Sequence, residues 1–155
     1  MFKIKSLNQL RQIRHIVTGA RKAWLRFTTG VDIHPSASLS LSARLICPAP
    51  GAIRIGAETL VAFKTLLLAD YAPDGQLRPI RIGARCFIGG GAMILPGVSV
   101  GDETIVAAGA VVRDDAPARC IVAGNPARII RRDIVVGRFG RLAGADDNSR
   151  RMWRL

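Results

Sequence analysis

Histidine is scarce in this 155-residue chain: it occurs twice, as His15 and His34, and nowhere beyond residue 34. A zinc cage of several imidazoles is thereby excluded, because no third ligand exists. Cysteine is almost as sparse. Cys47, Cys86 and Cys120 are odd in number, far apart and without a C-x-x-C pair, which excludes a disulfide framework or a cysteine zinc site and leaves reduced thiols as the expectation. No apolar run approaches the ~18 residues of a membrane span. The basic N-terminus has neither the continuous apolar stretch nor the small-residue cleavage site of a secretory signal, so a cytoplasmic protein is expected. Aromatics are few as well, at two Trp, one Tyr and five Phe, with no recognised base-reading motif. Nucleic acid is therefore the weakest partner class despite a formal charge of +12.

Acidic residues are absent from residues 1–30, which hold seven basic ones, and residues 128–155 set eight Arg against three Asp. Residues 31–127 carry eight basic and eight acidic residues, so the whole excess lies in the two ends of an otherwise neutral body.

That body repeats. Aliphatic residues recur every six positions, at Ile33, Leu39 and Leu45, then Ile55, Val61 and Leu67, then Ile82, Ile88, Ile94, Val100, Val106 and Val112. A second register four positions later is mostly small: Ala37, Ala43, Ala49, Thr59, Thr65, Cys86, Ala92, Val98, Thr104, Ala110 and Ala116. Neither a period of 3.6 nor one of 7 produces a spacing of six. The pattern describes a short strand, a tight turn and another short strand, with three such units closing a triangular coil whose interior is an aliphatic column. Gly56, Gly83, Gly89 and Gly101 directly follow aliphatic positions, which reads as sharply bent backbone. Four to five coils fit between residue 31 and about residue 130. The register breaks at Gly51 to Ile53, read as a small bulge, and again between Leu67 and Ile82, where the polar text ADYAPDGQLRP of residues 69–79 reads as an extruded loop.

The stretch from Ile82 to Arg132, with IGGGAMILPGV and VAGNPARII, resembles the hexapeptide-repeat acyltransferases that include maltose, serine and polysaccharide O-acetyltransferases. The resemblance covers about residues 31–132 and implies an all-β, left-handed parallel β-helix, here with a basic helical extension over 1–30 and a basic tail over 133–155. It also implies a homotrimer holding acetyl-coenzyme A as co-substrate in the groove between adjacent β-helices, with no metal. By motif, Gly90 in IGGG and Ala108 in VAAG would offer backbone groups to the pantetheine arm or thioester, and Gly109 would keep that wall flat. Arg128 in NPAR and Arg131 would meet the coenzyme phosphates. Arg113 stands where the family often has a small polar residue followed by Lys, but Asp114 follows here.

The reaction so implied is attack by an acceptor hydroxyl on the thioester, with a loop histidine as general base. The matching text here is Ala69-Asp70-Tyr71-Ala72-Pro73. Ala72 stands at the histidine position, and Asp70 is the nearest ionisable substitute. His34, in the first coil, reads as a turn or surface residue, and His15 as an ordinary side chain of the N-terminal segment. The segment from Ser6 to Phe27 has near-helical apolar spacing with basic residues interleaved. It reads as a helix capping the open end of the β-helix, or as a peripheral contact with anionic lipid at the inner membrane surface. Trp153 with Arg150, Arg151 and Arg154 makes a similar cluster in the tail. The leading expectation is an O-acetyltransferase acting on a small-molecule or saccharide acceptor, such as a polysaccharide precursor. A catalytically silent β-helix that binds coenzyme A or scaffolds a partner is the alternative.

Overall fold

A computed structural model describes residues 7–142, with side chains from Thr18 onward. The tail cluster around Trp153 and the side chain of His15 lie outside that range. Helix α1 (Leu7–Thr29) leads into the repeat. The first coil is β1 (Asp32–Ile33), β2 (Ser38–Leu39) and β3 (Arg44–Ile46); the second is β4 (Ile53–Ile55), β5 (Leu60–Val61) and β6 (Leu66–Leu68). A hairpin of β7 (Asp70–Tyr71) and β8 (Leu77–Arg78) intervenes. The third coil is β9 (Ile80–Ile82), β10 (Phe87–Ile88) and β11 (Met93–Ile94), and the fourth is β12 (Ser99–Val100), β13 (Ile105–Val106) and β14 (Val111–Val112). A partial fifth coil ends in β15 (Ile121–Gly124), which folds back as antiparallel β16 (Ala127–Arg131) through a cis Asn125–Pro126 bond.

Strands of successive coils pair in parallel, giving three faces: β1-β4-β9-β12, then β2-β5-β10-β13-β15, then β3-β6-β11-β14. Because side chains alternate along a strand, each interior aliphatic is preceded by an outward residue. Ile55, Val61, Leu67, Ile88, Ile94, Val106 and Val112 are all buried on the axis. Outward, the first face is polar, with Asp32, Arg54, Arg81 and Ser99 in register. The second shows Ser38 and then Leu60, Phe87, Ile105 and Ile121, and the third an exposed Arg44 and then Leu66, Met93 and Val111, the apolar ones all half-buried.

The small-residue register lines the inside of the corners, and its polar members are all satisfied. At the corner between the first and second faces, Thr59 Oγ1 donates to the Gly83 carbonyl (2.7 Å) and accepts from Cys86 N (3.0 Å); Cys86 Sγ donates to Gly101 O (3.1 Å) and Thr104 Oγ1 to Pro117 O (2.7 Å). Thr and Cys thus tie each coil to its neighbour, and burial pushes the Cys86 thiol up to about 11. The left-handed turn residues are not the glycines after the aliphatic positions. They fall two residues later, at Glu58 (φ 53°), Arg85 (52°) and Glu103 (58°), with Lys64, Gly91 and Gly109 at the next corner. Those glycines serve close coil stacking instead: a Cβ on Gly89 would stand 2.5 Å from Ala108 N, and one on Gly56 2.6 Å from Gly83 backbone.

A helix covers one end of the column and a returning segment covers one corner. Helix α1 lies against β1 and β2, with Leu25 buried. Arg21 donates to Ser40 O and Ala43 O, and Lys22 Nζ to Pro35 O and Ala37 O (both 2.9 Å), so two cations occupy carbonyls of the first coil's turns. Residues 133–142 do not trail away with the basic tail. They run back along the first–second corner, burying Ile134 and Val136, from Ile134 N on Arg119 O (3.1 Å) to Phe139 N on Glu58 O (2.8 Å).

Candidate functional site

The three corners differ in what covers them. The first–second corner carries the 133–142 segment. The third–first corner carries the β7–β8 hairpin in place of a plain turn. The second–third corner is bare over the upper coils, where Gly90, Gly91, Ala108 and Gly109 stack, Gly109 N donating to Gly90 O (3.0 Å) and Gly91 N to Phe63 O (2.9 Å). Ala108 and Gly109 are exposed and Gly90 half-buried, so this corner is a column without side chains beyond a methyl. It ends below at Phe63, whose ring lies where a Cβ on Gly90 would be (2.7 Å). Beneath, Leu41, Leu60, Phe63 and Phe87, with Thr18 of α1, line an apolar groove of about 490 Å³.

The loop at 69–79 is an ordered hairpin. Asp70 and Arg78 are cross-strand partners, and Arg78 Nε and Nη2 donate to both Asp70 oxygens at 2.7 and 2.6 Å. This fork raises the Arg78 guanidinium further above its ordinary value. Ala72 sits in the hairpin turn, donating to Gln76 O (2.8 Å) and accepting from Gly75 N (2.9 Å). His34 belongs to the first coil, is exposed, and its Nδ1 lies 2.9 Å from Ser36 Oγ.

Two of the three cations expected at the phosphate end, Arg113 and Arg128, are gathered around one acid. Arg113 Nε lies 3.5 Å and Arg128 Nη1 3.2 Å from Asp114 Oδ2, while Arg131 is exposed near the end of β16. Arg128, Asp114, Asp115, Val112 and Val122 line a hollow of about 410 Å³ at the open end of the third face, where the fifth coil has no strand. Asp114 as the common acceptor was not foreseen as a site residue. Its signal was the departure from the family's Lys at that position.

Within one chain the expected residues divide between two edges. Gly90, Ala108 and Gly109 stand where the chain enters the third face; Asp70, Ala72, Arg113 and Asp114 stand where it leaves. Among the described residues, no group of three or more His, Cys, Asp or Glu could hold a metal ion.

A family model described as the hexapeptide repeat of succinyl-transferase matches residues 79–113. Galactoside O-acetyltransferase of Escherichia coli is 31% identical over 127 residues, covering 74% of this chain and 63% of that protein. The Bacillus subtilis protein YvoF is 39% identical over 83 residues, covering 52% of this chain and 48% of its own length. The chain therefore spans about half to under two thirds of these curated relatives. A hexapeptide-repeat-containing acetyltransferase from Vibrio cholerae superposes with a TM-score of 0.58 at 26% identity, covering 75% of this chain and 81% of that one. The same Vibrio protein complexed with acetyl-coenzyme A gives 0.54 at 25% identity, covering 83% and 79%. The three-faced repeat defines a parallel β-helix, and over that repeat the chain is similar to the hexapeptide-repeat acetyltransferases.

Proposed function

We propose that this chain is an acyl-coenzyme A dependent O-acetyltransferase acting on a sugar or polysaccharide precursor in the cytoplasm. The observation that carries the reading is the bare column at Gly90, Ala108 and Gly109, a side-chain-free wall on the one corner that neither the hairpin nor the 133–142 segment covers. A pantetheine arm needs such close backbone approach, and a Vibrio cholerae relative of this fold binds acetyl-coenzyme A. Galactoside O-acetyltransferase among the relatives supports a saccharide acceptor.

The division of the site between two edges supports a homotrimer of left-handed β-helices. Side by side, the wall of one copy meets the hairpin and the Arg113–Asp114 edge of the next, and the outward Leu60, Phe87, Ile105, Leu66, Met93 and Val111 supply apolar surface for that contact. At the nucleotide end Arg113, Arg128 and Arg131 meet the coenzyme phosphates, which must compete with Asp114 for the first two.

For chemistry, the acceptor hydroxyl attacks the thioester carbonyl; its proton leaves to a base and coenzyme A departs as the thiol. Asp70 is the ionisable group nearest the position of the family's histidine, and both its oxygens already accept from Arg78, so taking a proton means loosening that fork. Without a general base, about two to four orders of magnitude are lost while proximity and backbone donors remain. The same fork favours a second reading, in which the chain binds coenzyme A but is catalytically silent and scaffolds a partner. The deciding experiment follows thiol release from acetyl-coenzyme A over a panel of sugar acceptors, with parallel coenzyme A titration, for the parent, Asp70→Asn and Ala72→His. Turnover abolished by Asp70→Asn establishes the enzyme with Asp70 as base. Binding without turnover, with activity gained in Ala72→His, establishes the silent form. No coenzyme A binding removes both.

A further inference from the structure

Helix α1 uses only part of its circumference on the β-helix. Leu25 is buried beneath it, and Arg21 and Lys22 are turned inward onto turn carbonyls. The opposite side carries Ala20, Ala23, Trp24 and Phe27, spaced three and four residues apart, all exposed. Trp24 is 61% and Phe27 92% exposed, with Arg26 exposed between them. Large aromatics one turn apart on a solvent-facing helix are a costly arrangement unless something covers them.

Charge identifies the cover. Besides the inward Arg21 and Lys22, residues 1–30 hold five basic residues and no acid, while the repeat body is neutral. A cationic segment with a Trp and a Phe on its outer face suits a surface that is anionic at its boundary and apolar just beneath, which is an anionic lipid bilayer. Among the described residues no helix is long and apolar enough to cross a membrane, so the contact is peripheral. We infer that the outer face of α1, through Trp24 and Phe27, docks this protein on anionic membrane. In the trimer proposed above, whose copies stand side by side, three α1 helices lie at the same end of the assembly and bind with avidity. The apolar groove at Phe63 and the hairpin stand only about one to two coil spacings, or roughly 5–10 Å, above that end. Docking through α1 therefore points the site at acceptors carried on lipid.

The test is flotation of the full chain with phosphatidylcholine vesicles, with and without phosphatidylglycerol, and emission from Trp24 in a Trp153→Phe background. The expected result is binding that requires phosphatidylglycerol, falls with added salt and shifts Trp24 emission to the blue. The Trp24→Ala/Phe27→Ala double variant, whose fold is checked by circular dichroism, should bind about tenfold more weakly or worse. Thioester turnover without vesicles should be unchanged in that variant, so failure of docking and failure of the transferase reading are distinguishable. The inference is overturned by equal binding of the double variant, by no vesicle binding at all, or by salt-sensitive retention on RNA with none on vesicles. A change of oligomeric mass in the double variant also overturns it, because a second copy would then be what covers the patch.

Discussion

Gly89 and Gly90 are neighbours at one corner, yet an added methyl should do opposite things at the two positions. At Gly89 the methyl carbon would lie 2.5 Å from Ala108 N, 2.7 Å from Ala107 C and 2.8 Å from Ala108 Cα, all backbone of the next coil. Relief to ordinary carbon contact near 3.5 Å means opening the two coils by about 1 Å. That corner is held by Gly89 N on Val106 O (2.9 Å) and Gly109 N on Gly90 O (3.0 Å), so opening it sacrifices about one hydrogen bond in addition to the overpacking strain. Together these come to about 2–4 kcal/mol, or a fall in Tm of roughly 5–15 °C for a chain of this size. At Gly90 the same methyl meets only the tip of the Phe63 ring, on a side chain that is 62% exposed and free to swing, so stability should change by less than about 1 kcal/mol. That methyl does stand on the proposed pantetheine wall, and coenzyme A should bind about tenfold more weakly, a change of about 1.4 kcal/mol. Thermal melts at matched protein concentration and coenzyme A titrations separate the two effects. Equal melting losses for both variants would refute the stacking argument, and parent-like coenzyme binding by Gly90→Ala would refute the wall.

Other consequences follow from the corners and caps. Thr59→Val leaves the Gly83 carbonyl and the Cys86 amide without their buried partner and should cost about 1–3 kcal/mol in denaturant unfolding; a neutral result would mean another group replaces the hydroxyl. Burial pushes the Cys86 thiol up to about 11 in the fold, from the ordinary 9.0 it regains on unfolding, so between these the unfolded chain holds fewer protons. Stability should therefore fall as pH rises from about 9 towards 11. At mildly alkaline pH a thiol reagent should label half-buried Cys47 well before Cys86 or Cys120, and early labelling of Cys86 would contradict its burial. Arg21→Ala uncovers the Ser40 and Ala43 carbonyls and should cost about 1–2 kcal/mol, with faster amide exchange concentrated in the first coil; uniform exchange would argue against a local cap.

The interior of this fold could be read directly because one spacing does two jobs: six residues return the chain to the same depth, and eighteen return it to the same face. Ile88 and Val106 therefore declare both their burial and their pairing. The glycines misled because composition cannot distinguish a residue that must bend from one that must leave room. Bending falls to Glu58, Arg85 and Glu103, which nothing in their side chains announces, whereas Gly89 is small for the sake of Ala108 in the next coil. Where the period stops, so does legibility. The fork of Asp70 with Arg78, the return of Ile134 and Val136 along the first–second corner, and the sharing of Asp114 by Arg113 and Arg128 are contacts between segments with no common register.

One signal stood in the repeat and is visible only when the register is shifted by one. The residue before each interior aliphatic points outward, and from the second coil onward these residues separate by face into a polar series and two apolar ones, with Ser38 and Arg44 of the first coil polar on the latter two. An isolated triangular rod would have no reason to keep two faces apolar above the first coil. Two apolar faces meeting along the Gly90–Ala108 edge suit a rod that stands among copies of itself with its polar face turned to solvent. The same packing would complete a site whose wall and whose hairpin lie on opposite edges of the third face. The outward positions thus connect the proposed assembly to the proposed chemistry: polar substitution at Met93 or Ile105, which are remote from the hairpin in sequence and only half-buried, should weaken both together.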